Sequence, residues 1–297
     1  MKFELILDCA LELIETPIWD GRIGKLYWTD LFSGDVHRYD PKTGGDEVWR
    51  TNQMIGSAIP CDELGKVLCV LENGVHILDL ESGTLEFLAD AEPGNTGNRC
   101  NDSRVDAAGR LFLSTVSKLY GTDKYHPELV GGFYMLDTNR KSIVTLVEGI
   151  QQYNAIVWTK DNSRMYVVDT YHEKLIAFPY SLEKGPAGGP ENVVDFSPYG
   201  MPDGMCIDQE DTLYVFHWSG RITVWNKKLQ FVREIPFPVE YACCGGFGGS
   251  DNKTLFAATS KFGYTPEQLE ANKGAGGLFA AHCQVAGRND YFYKLKT

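Results

Sequence analysis

Apolar residues occur along this chain in short runs that are separated by glycine, asparagine and aspartate. The stretch 201–215 is typical, because the apolar residues 205–207 are followed by an acidic turn and then by a second apolar run that starts at residue 213. Two apolar runs joined by a short polar turn predict a β-hairpin. Most runs are too short and too often interrupted by glycine for amphipathic helices. The exception is 265–270, for which we predict one short helix.

The same unit recurs six times along the chain. A large apolar residue in its second strand marks each copy, and the six markers are Tyr27, Leu68, Phe112, Tyr166, Tyr214 and Phe256. Successive markers are 41, 44, 54, 48 and 42 residues apart. Repeats near this length, with about four strands each, are typical of β-propellers. The pattern therefore predicts an all-β fold, a six-bladed β-propeller in which residues 1–297 form a single domain.

The two ends of the chain and three insertions complete the predicted ring. Residues 3–7 and 291–295 are both strand-like, and we expect them to share the last blade, since this closure leaves no long sheet edge open. The insertions are 117–130, 181–190 and 260–275. The first and the third interrupt hairpins after a second strand, so they could rise over the same face. The insertion 181–190 is expected to be a plain surface loop.

Composition and charge narrow the classes of function. Apolar residues make up 43% of the 297 residues and charged residues 23%, which is ordinary for a globular protein with a large core. The formal net charge is -12, so nucleic acid is not an expected partner. No apolar run reaches the length of a membrane span, and the first residues do not resemble a signal peptide. The eight cysteines include no CxxC pair, so we expect free thiols and a cytoplasmic protein.

Four side chains that carry oxygen fall at one position of the repeat. Counting back 11 or 12 residues from the marker leads, in four copies, to Glu15, Asn101, Asn154 and Asp203, and in the other two to Ser57 and Gly245. In a propeller this is the start of the innermost strand, so the four side chains are expected to point into one small volume of the central channel. Carboxylate and amide oxygens together favour a hard divalent cation. The alternative is that each residue only hydrogen-bonds a neighbouring strand or turn.

Several neighbouring residues are candidates for binding a substrate. Arg99 and Asp102 flank Asn101, and Trp218 follows His217 at the end of a second strand. Arg99 could bind an oxygen-rich ligand or have a structural role. Trp218 could stack on a sugar ring or be a packed aromatic residue. On the insertion 117–130, the candidate lid contacts are Lys118, Tyr120, Lys124, Tyr125 and His126.

With these residues identified, the chain resembles the gluconolactonase/regucalcin (senescence marker protein) family over essentially its full length. The matching segments are Glu-Thr-Pro-Ile-Trp at 15–19, Asn-Arg-Cys-Asn-Asp at 98–102, Tyr-Asn-Ala-Ile-Val-Trp at 153–158, Pro-Asp-Gly-Met at 202–205 and Gly-Gly-Leu-Phe at 276–279. The family consists of six-bladed propellers that hydrolyse sugar-derived lactones. The resemblance implies that one divalent cation binds to Glu15, Asn154 and Asp203. It also implies that Arg99 and Asn101 contact the substrate.

The chain departs from the family pattern at two places beside the pocket. Ala155 stands where a glycine after the asparagine is usual, and Ser-Thr-Val-Ser at 114–117 replaces a turn that usually resembles Gly-Thr-Met. Both departures flank the expected pocket. They therefore bear on the identity of the substrate more than on metal binding.

We therefore expect metal-dependent hydrolysis of an aldonolactone or a similar small hydroxylated ring. The cation would be Ca²⁺, Zn²⁺, Mg²⁺, Mn²⁺ or Fe²⁺, and it would polarise the lactone carbonyl. Asp203 is expected to be the general base, and Arg99, Asn101, Asp102 and Trp218 are expected to bind the substrate. The alternatives are another esterase or phosphotriesterase on the same scaffold, or a cation-binding propeller without activity. We expect a monomer or a weak homo-oligomer.

Overall fold

The structure, a computed structural model, describes residues 1–119, 130–138 and 143–295, and these residues form six antiparallel sheets arranged as the blades of a propeller. The prediction of a six-bladed all-β propeller is confirmed. The strands are β1 (Glu4–Leu7); β2 (Ile14–Asp20), β3 (Lys25–Asp30), β4 (Asp35–Asp40) and β5 (Gly45–Arg50) in blade one; β6 (Ile55–Pro60), β7 (Lys66–Leu71), β8 (Gly74–Asp79) and β9 (Leu85–Ala89) in blade two; β10 (Asn98–Val105), β11 (Leu111–Ser117), β12 (Gly131–Leu136) and β13 (Ile143–Ile150) in blade three; β14 (Tyr153–Trp158), β15 (Arg164–Asp169), β16 (Lys174–Ser181), β17 (Gly185–Pro186) and β18 (Glu191–Asp195) in blade four; β19 (Pro202–Ile207), β20 (Leu213–His217), β21 (Arg221–Trp225) and β22 (Phe231–Pro236) in blade five; and β23 (Ala242–Gly248), β24 (Thr254–Thr259) and β25 (Leu278–His282) in blade six.

The position of a strand within its blade determines how apolar it is. Strand β20 is buried along its whole length, because both of its faces pack against neighbouring blades. The outermost strand of the same blade, β22, is exposed at all but one residue. A strand buried on both faces has a continuous apolar sequence rather than an alternating one. For this reason the second strands carry the clearest markers of the repeat.

The N-terminal strand closes the ring as the outermost strand of blade six. Strand β1 pairs antiparallel with β25, and Leu5 lies opposite Phe279. The turn before β25 contains Gly276 with φ +75°, where a Cβ would lie 2.1 Å from the carbonyl oxygen of Leu11. Only glycine fits such a close approach of two backbones. The predicted placement of 3–7 in the last blade is therefore confirmed.

The predicted placement of residues 291–295 in the same blade is wrong. Tyr293 forms an isolated bridge with Cys61 in blade two, where its N–H donates to Pro60 at 3.0 Å and its carbonyl accepts from Asp62 at 2.8 Å. The Tyr293 side chain is 2% exposed and packs into the core beside blade two. Burial of this aromatic ring, rather than pairing with β1, determines where the segment lies. We call residues 283–295 the C-terminal clasp.

The insertions differ in how far they match the expectations. The predicted helix is confirmed as α1 (Pro266–Ala271), which begins with a capping box between Thr265 and Gln268. The segment 181–190 is not a plain loop, because β17 pairs with β16 there. A short 3₁₀ helix spans Ser197–Tyr199. Residues 120–129 of the first insertion lie outside the described residues. No helix in the described ranges is long and apolar enough to span a membrane.

Candidate functional site

The innermost strand of each blade contains an irregularity at the same end of the channel. The pairing register of these strands shifts between Glu15 and Ile18, Ile55 and Ser57, Cys100 and Ser103, Asn154 and Ile156, Pro202 and Met205, and Ala242 and Cys244. A β-bulge turns side chains away from the regular alternation and is common beside functional sites. Here six bulges form one ring, and all four predicted oxygen-bearing residues lie within or beside them.

Two of the bulges hold non-glycine residues in the left-handed region. Thr16, directly after Glu15, has φ +54°, and Ala155, directly after Asn154, has φ +42°. Such residues cost about 1–3 kcal/mol each unless their surroundings hold them. The N–H of Thr16 donates to Cys244 Sγ at 3.2 Å, and that of Ala155 donates to Asp102 Oδ2 at 2.8 Å. The unusual alanine noted in the sequence therefore occupies a conformation that favours glycine.

The two asparagines contact each other directly. Asn101 Nδ2 donates to Asn154 Oδ1 at 2.5 Å, and Asn154 Nδ2 donates to Thr170 Oγ1 at 2.8 Å. Arg99 Nη1 donates to Asn101 Oδ1 at 2.8 Å. Both amides are 5% exposed, so this network determines which way each amide oxygen points. An amide oxygen has two lone pairs, and Asn154 Oδ1 keeps one for a ligand.

The two carboxylates of the predicted set are not neutralised by an ion pair within the described residues. Asp203 Oδ2 accepts from Trp218 Nε1 at 2.7 Å, and Glu15 Oε2 accepts from Cys244 Sγ at 3.5 Å. Burial raises the pKa of Glu15 well above its usual range, and the charge of Asp203 raises it further. Burial also raises the pKa of Asp203. The effect of one carboxylate on the other indicates that both face the same volume.

Arg99 provides the positive charge of this volume. Burial lowers its pKa, and the charges of Glu15 and Asp203 oppose that effect. The same side chain lines a cavity of about 210 Å³ between blades two and three, together with Asn98, Thr115 and Lys118 among others. Arg99 thus joins the two asparagines to an open cavity whose lining residues include several polar and charged side chains.

Asp102 is engaged by the protein on both of its oxygens. Oδ1 accepts from the N–H of Ser103 at 2.7 Å and from Arg104 Nη1 at 2.9 Å, and Oδ2 accepts from Ala155. The side chain is 8% exposed. These contacts favour positioning of the bulges over the predicted contact with substrate.

Trp218 is a packed aromatic residue, one of the two interpretations left open by the sequence, and it also contacts a candidate ligand. Its ring stacks on Tyr241 with centroids 4.6 Å apart, while its N–H reaches Asp203. His217, its neighbour in sequence, is fully buried, with Nδ1 2.8 Å from the Gly200 carbonyl and Nε2 2.8 Å from Thr223 Oγ1. Trp218 therefore belongs to the site, whereas His217 is part of the packing of blade five.

Three residues that contribute to the candidate site were not identified from the sequence, namely Cys244, Thr170 and Tyr241. Cys244 was detectable, because it directly precedes Gly245, the residue reached by counting in copy six. The other predicted equivalent, Ser57, hydrogen-bonds Ser103. Thr170 and Tyr241 had no signal, since both lie outside the innermost strands. Of the lid candidates, Tyr120, Lys124, Tyr125 and His126 lie outside the described residues, and Lys118 pairs with Glu72.

The donor set at the channel mouth fits a divalent cation. No group of three histidine, cysteine, aspartate or glutamate side chains suited to a metal occurs in the described residues. The candidate set is instead two carboxylates, Glu15 and Asp203, with the amide oxygen of Asn154. All-oxygen sites of this kind suit Ca²⁺, Mg²⁺ and Mn²⁺. A bound cation would also offset the repulsion between these two buried carboxylates, whose pKa values are raised.

Residues 13–261 match a family model described as SMP-30/Gluconolactonase/LRE-like region. The chain is 27% identical to the 6-deoxy-6-sulfogluconolactonase of Pseudomonas putida, over 92% of each chain. It is also 27% identical to the pentonolactonase XacC of Haloferax volcanii, over 98% of each chain. Among solved structures, the calcium-binding protein regucalcin from Agrobacterium tumefaciens has a TM-score of 0.90 at 23% identity and covers 98% of this chain, with 97% of its own chain covered. At that identity the last comparison shows a shared fold.

Proposed function

Since the chain belongs to the SMP-30/Gluconolactonase/LRE-like family, we propose that it hydrolyses a sugar-derived lactone with one divalent cation held by Glu15, Asn154 and Asp203. The observation that carries the proposal is the meeting, at a single end of the channel, of two carboxylates, two hydrogen-bonded amides and one guanidinium. Neither carboxylate has an ion-pair partner in the described part of the chain. Two relatives that match nearly the whole chain are named as lactonases, and they support the reaction class.

The chemistry requires an activated water and a polarised carbonyl. When bound, a divalent cation supplies positive charge that polarises the lactone carbonyl. Asp203 accepts a proton from the attacking water, whose oxygen bonds to the carbonyl carbon. The bond between that carbon and the ring oxygen then breaks, and the ring oxygen takes up the proton. The product is an open-chain hydroxy acid that contains the atoms of the lactone and one water, and Asp203 returns to its ionised form.

The side chains beside the carboxylates orient the ring. Arg99 has donors left for substrate hydroxyls, because only Nη1 is engaged by Asn101 and by the Cys100 carbonyl. The cavity beside Arg99 offers further polar groups, including those of Asn98 and Lys118. The remaining donors of Arg99 suit a small polyol ring better than an apolar ester, because buried polar groups would otherwise stay unpaired. Holding the ring in this way aligns the carbonyl for attack.

The choice of metal and the compartment follow from the same chemistry. The all-oxygen donor set favours Ca²⁺, Mg²⁺ or Mn²⁺ over Zn²⁺ or Fe²⁺, which accept nitrogen and sulfur ligands more readily. All eight cysteines are free thiols, and seven of them are buried, which suits a reducing cytoplasm. We propose action there as a monomer or a weak homo-oligomer.

The test is a substrate and metal screen on the purified protein. After treatment with a chelator, the protein is reloaded separately with each of the five cations and assayed on a panel of aldonolactones by the acid released. We expect activity to vanish on chelation and to return with at least one oxygen-preferring cation. Hydrolysis of phosphotriesters or aryl esters in preference to every lactone would contradict the proposal. So would cation binding without turnover of any lactone, which is the behaviour of a non-enzymatic cation-binding propeller.

A further inference from the structure

The C-terminal clasp lies at the end of the channel opposite the candidate site. Its main-chain contacts reach three blades and join Tyr293 to Pro60 and Asp62, Ala286 to Gln209, Arg288 to Ile207, and Gly287 to Asn252. Ile207 is the last residue of β19, whereas Asp203 is the second. At about 3.3 Å per residue, the clasp and the site are separated by roughly the length of an innermost strand.

One series of polar contacts, buried from Arg104 inwards, connects the two ends. Asp290 of the clasp places Oδ1 3.3 Å from Nε of Arg104. Arg104 Nη1 donates to Asp102 Oδ1 at 2.9 Å, and Asp102 Oδ2 accepts from the N–H of Ala155 at 2.8 Å. Arg104 is 6% exposed and Asp102 is 8% exposed. Because water has little access to Arg104 and Asp102, the contact between them is stronger than the same contact at the surface. The Asp290 side chain is 24% exposed.

The last contact in the series holds a strained piece of backbone. Ala155 has φ +42°, a region that residues other than glycine avoid. A hydrogen bond from its N–H to a carboxylate is charge-assisted and therefore strong. The same peptide unit joins Ala155 to Asn154, the candidate cation ligand. A rotation of this unit would move Asn154 Oδ1 away from its position beside Asn101.

We propose that Asp290 is a positioning residue that holds the cation site from the opposite end of the channel, through Arg104 and Asp102. The inference rests on the proposed function for the site itself, and it adds that one carboxylate of the clasp, that of Asp290, controls cation affinity. A guanidinium is a rigid planar fork, so a change at Nε shifts the nitrogen that holds Asp102. Without the Asp290 carboxylate, Arg104 keeps Asp102 as its anionic partner and is free to move with it.

The experiment measures cation binding by isothermal titration calorimetry with Ca²⁺ and, separately, with Mn²⁺ on the metal-stripped full chain. Loss of an outer partner of a metal ligand typically weakens binding by about 10–100-fold, and Asp290 is two contacts beyond Asp102, so the low end of that range applies. We therefore expect Asp290→Ala to raise the Kd by about tenfold. Asp290→Asn keeps an oxygen that can accept from Nε, so it should give a smaller increase. At saturating cation the KM for the best lactone should stay unchanged.

The matched control removes a different acidic anchor of the clasp. Asp62 Oδ1 accepts from the N–H of Leu295 at 3.0 Å and has no contact with the series through Arg104. Asp62→Ala should lower the unfolding temperature yet leave the Kd within about twofold of wild type, because it loosens the clasp without touching Arg104.

Three results would overturn the coupling. They are a wild-type Kd in Asp290→Ala, an equal rise of the Kd in Asp62→Ala, or, where Asp290→Ala does not fold, a wild-type Kd in Asp290→Asn. If the wild-type protein binds neither these two cations nor any of the other three in the screen, the proposed function fails as well. If wild type binds a cation and the Asp290 variants bind it equally well, only the coupling is refuted.

Discussion

Acidic residues lie at both ends of the innermost strands, and the partners of the two candidate ligands at the site end differ from those of Asp106 at the clasp end. At the clasp end, Asp106 accepts from Arg110 Nε at 2.6 Å and from the Tyr180 hydroxyl at 2.6 Å. At the site end, Asp203 receives an indole N–H and Glu15 a thiol. A buried charge with matched partners supports the fold, whereas a buried charge without a cation opposes it. The difference supports the proposal that Glu15 and Asp203 bind a cation.

The largest effect is expected from Asp203→Asn at the site end. The substitution preserves the volume and one oxygen, but removes the proton acceptor, which is worth about 10²–10⁴-fold in rate. We expect kcat on the best lactone to fall by that factor and to stay low at saturating cation. The metal-free variant should be no less stable than wild type, since it loses a crowded charge. Steady-state kinetics and thermal unfolding measure the two expectations.

Asn154→Ala is the comparison variant for this prediction. Asn154 offers a neutral ligand, so excess cation should restore most of the kcat in that variant. If excess cation restores the kcat of Asp203→Asn equally well, Asp203 is a ligand and not the base. Cation binding alone would then account for the difference between the two ends.

At the clasp end the expected loss is in stability. Asp106→Ala leaves Arg110, which is 5% exposed, without its carboxylate, and also removes the acceptor for Tyr180. Breaking a buried ion pair in this way costs about 3–5 kcal/mol in the free energy of unfolding. Urea unfolding measures this loss. The kcat of the folded fraction should be that of wild type, and a fall in kcat matching that of Asp203→Asn would abolish the distinction between the ends.

The repeat could be predicted from the sequence because each copy meets the same surroundings. Every second strand is packed between two blades, so Leu213 and its equivalents are apolar in all copies. The start of the innermost strand is likewise equivalent in each copy, which is why counting from the markers reached Glu15, Asn101, Asn154 and Asp203. Periodicity therefore sufficed for the ring and for the candidate ligands.

Periodicity did not predict the position of residues whose environment occurs in only one copy of the repeat. Residues 291–295 alternate like a strand, yet Tyr293 is buried beside blade two, and nothing local specifies that partner. The bulges shift the register, so counting in copy six reached Gly245 although the thiol beside Glu15 is that of Cys244. The role of Asp102 was also out of reach, because its partner Ala155 lies 53 residues away.

His217, near the site end, is a buried titratable residue that has a hydrogen-bond partner on each ring nitrogen. Burial lowers its pKa from 6.5 to about 4. Trp225 donates to Thr223 Oγ1, which leaves the Thr223 hydroxyl to donate to Nε2 of His217. The unfolded chain therefore binds a proton before the folded one does, so the stability is full above pH 6.5 and is lost as the pH falls towards 4. The loss attributable to His217 is about 3 kcal/mol.

The measurement is the free energy of unfolding from pH 7 to pH 4, in wild type and in His217→Gln. Glutamine can donate to Gly200 and accept from Thr223 without titrating, so the variant should lose less stability across this range. Parallel curves for the two proteins would show that His217 does not contribute to the acid sensitivity.

The smallest effect is expected from Trp218→Phe, which separates the two roles of that residue. Phenylalanine keeps a ring to stack on Tyr241 but cannot donate to Asp203, so the carboxylate loses its one strong hydrogen bond within the described residues. A hydrogen bond to a charged group is worth about 1.5–3 kcal/mol, but a cation bound to Asp203 would compensate part of the loss. We expect kcat/KM to fall by about tenfold, corresponding to about 1.4 kcal/mol, with the fall in kcat rather than in KM. A rise in KM alone would instead assign Trp218 to substrate stacking, and the orientation of Asp203 would then depend on the cation and not on the indole.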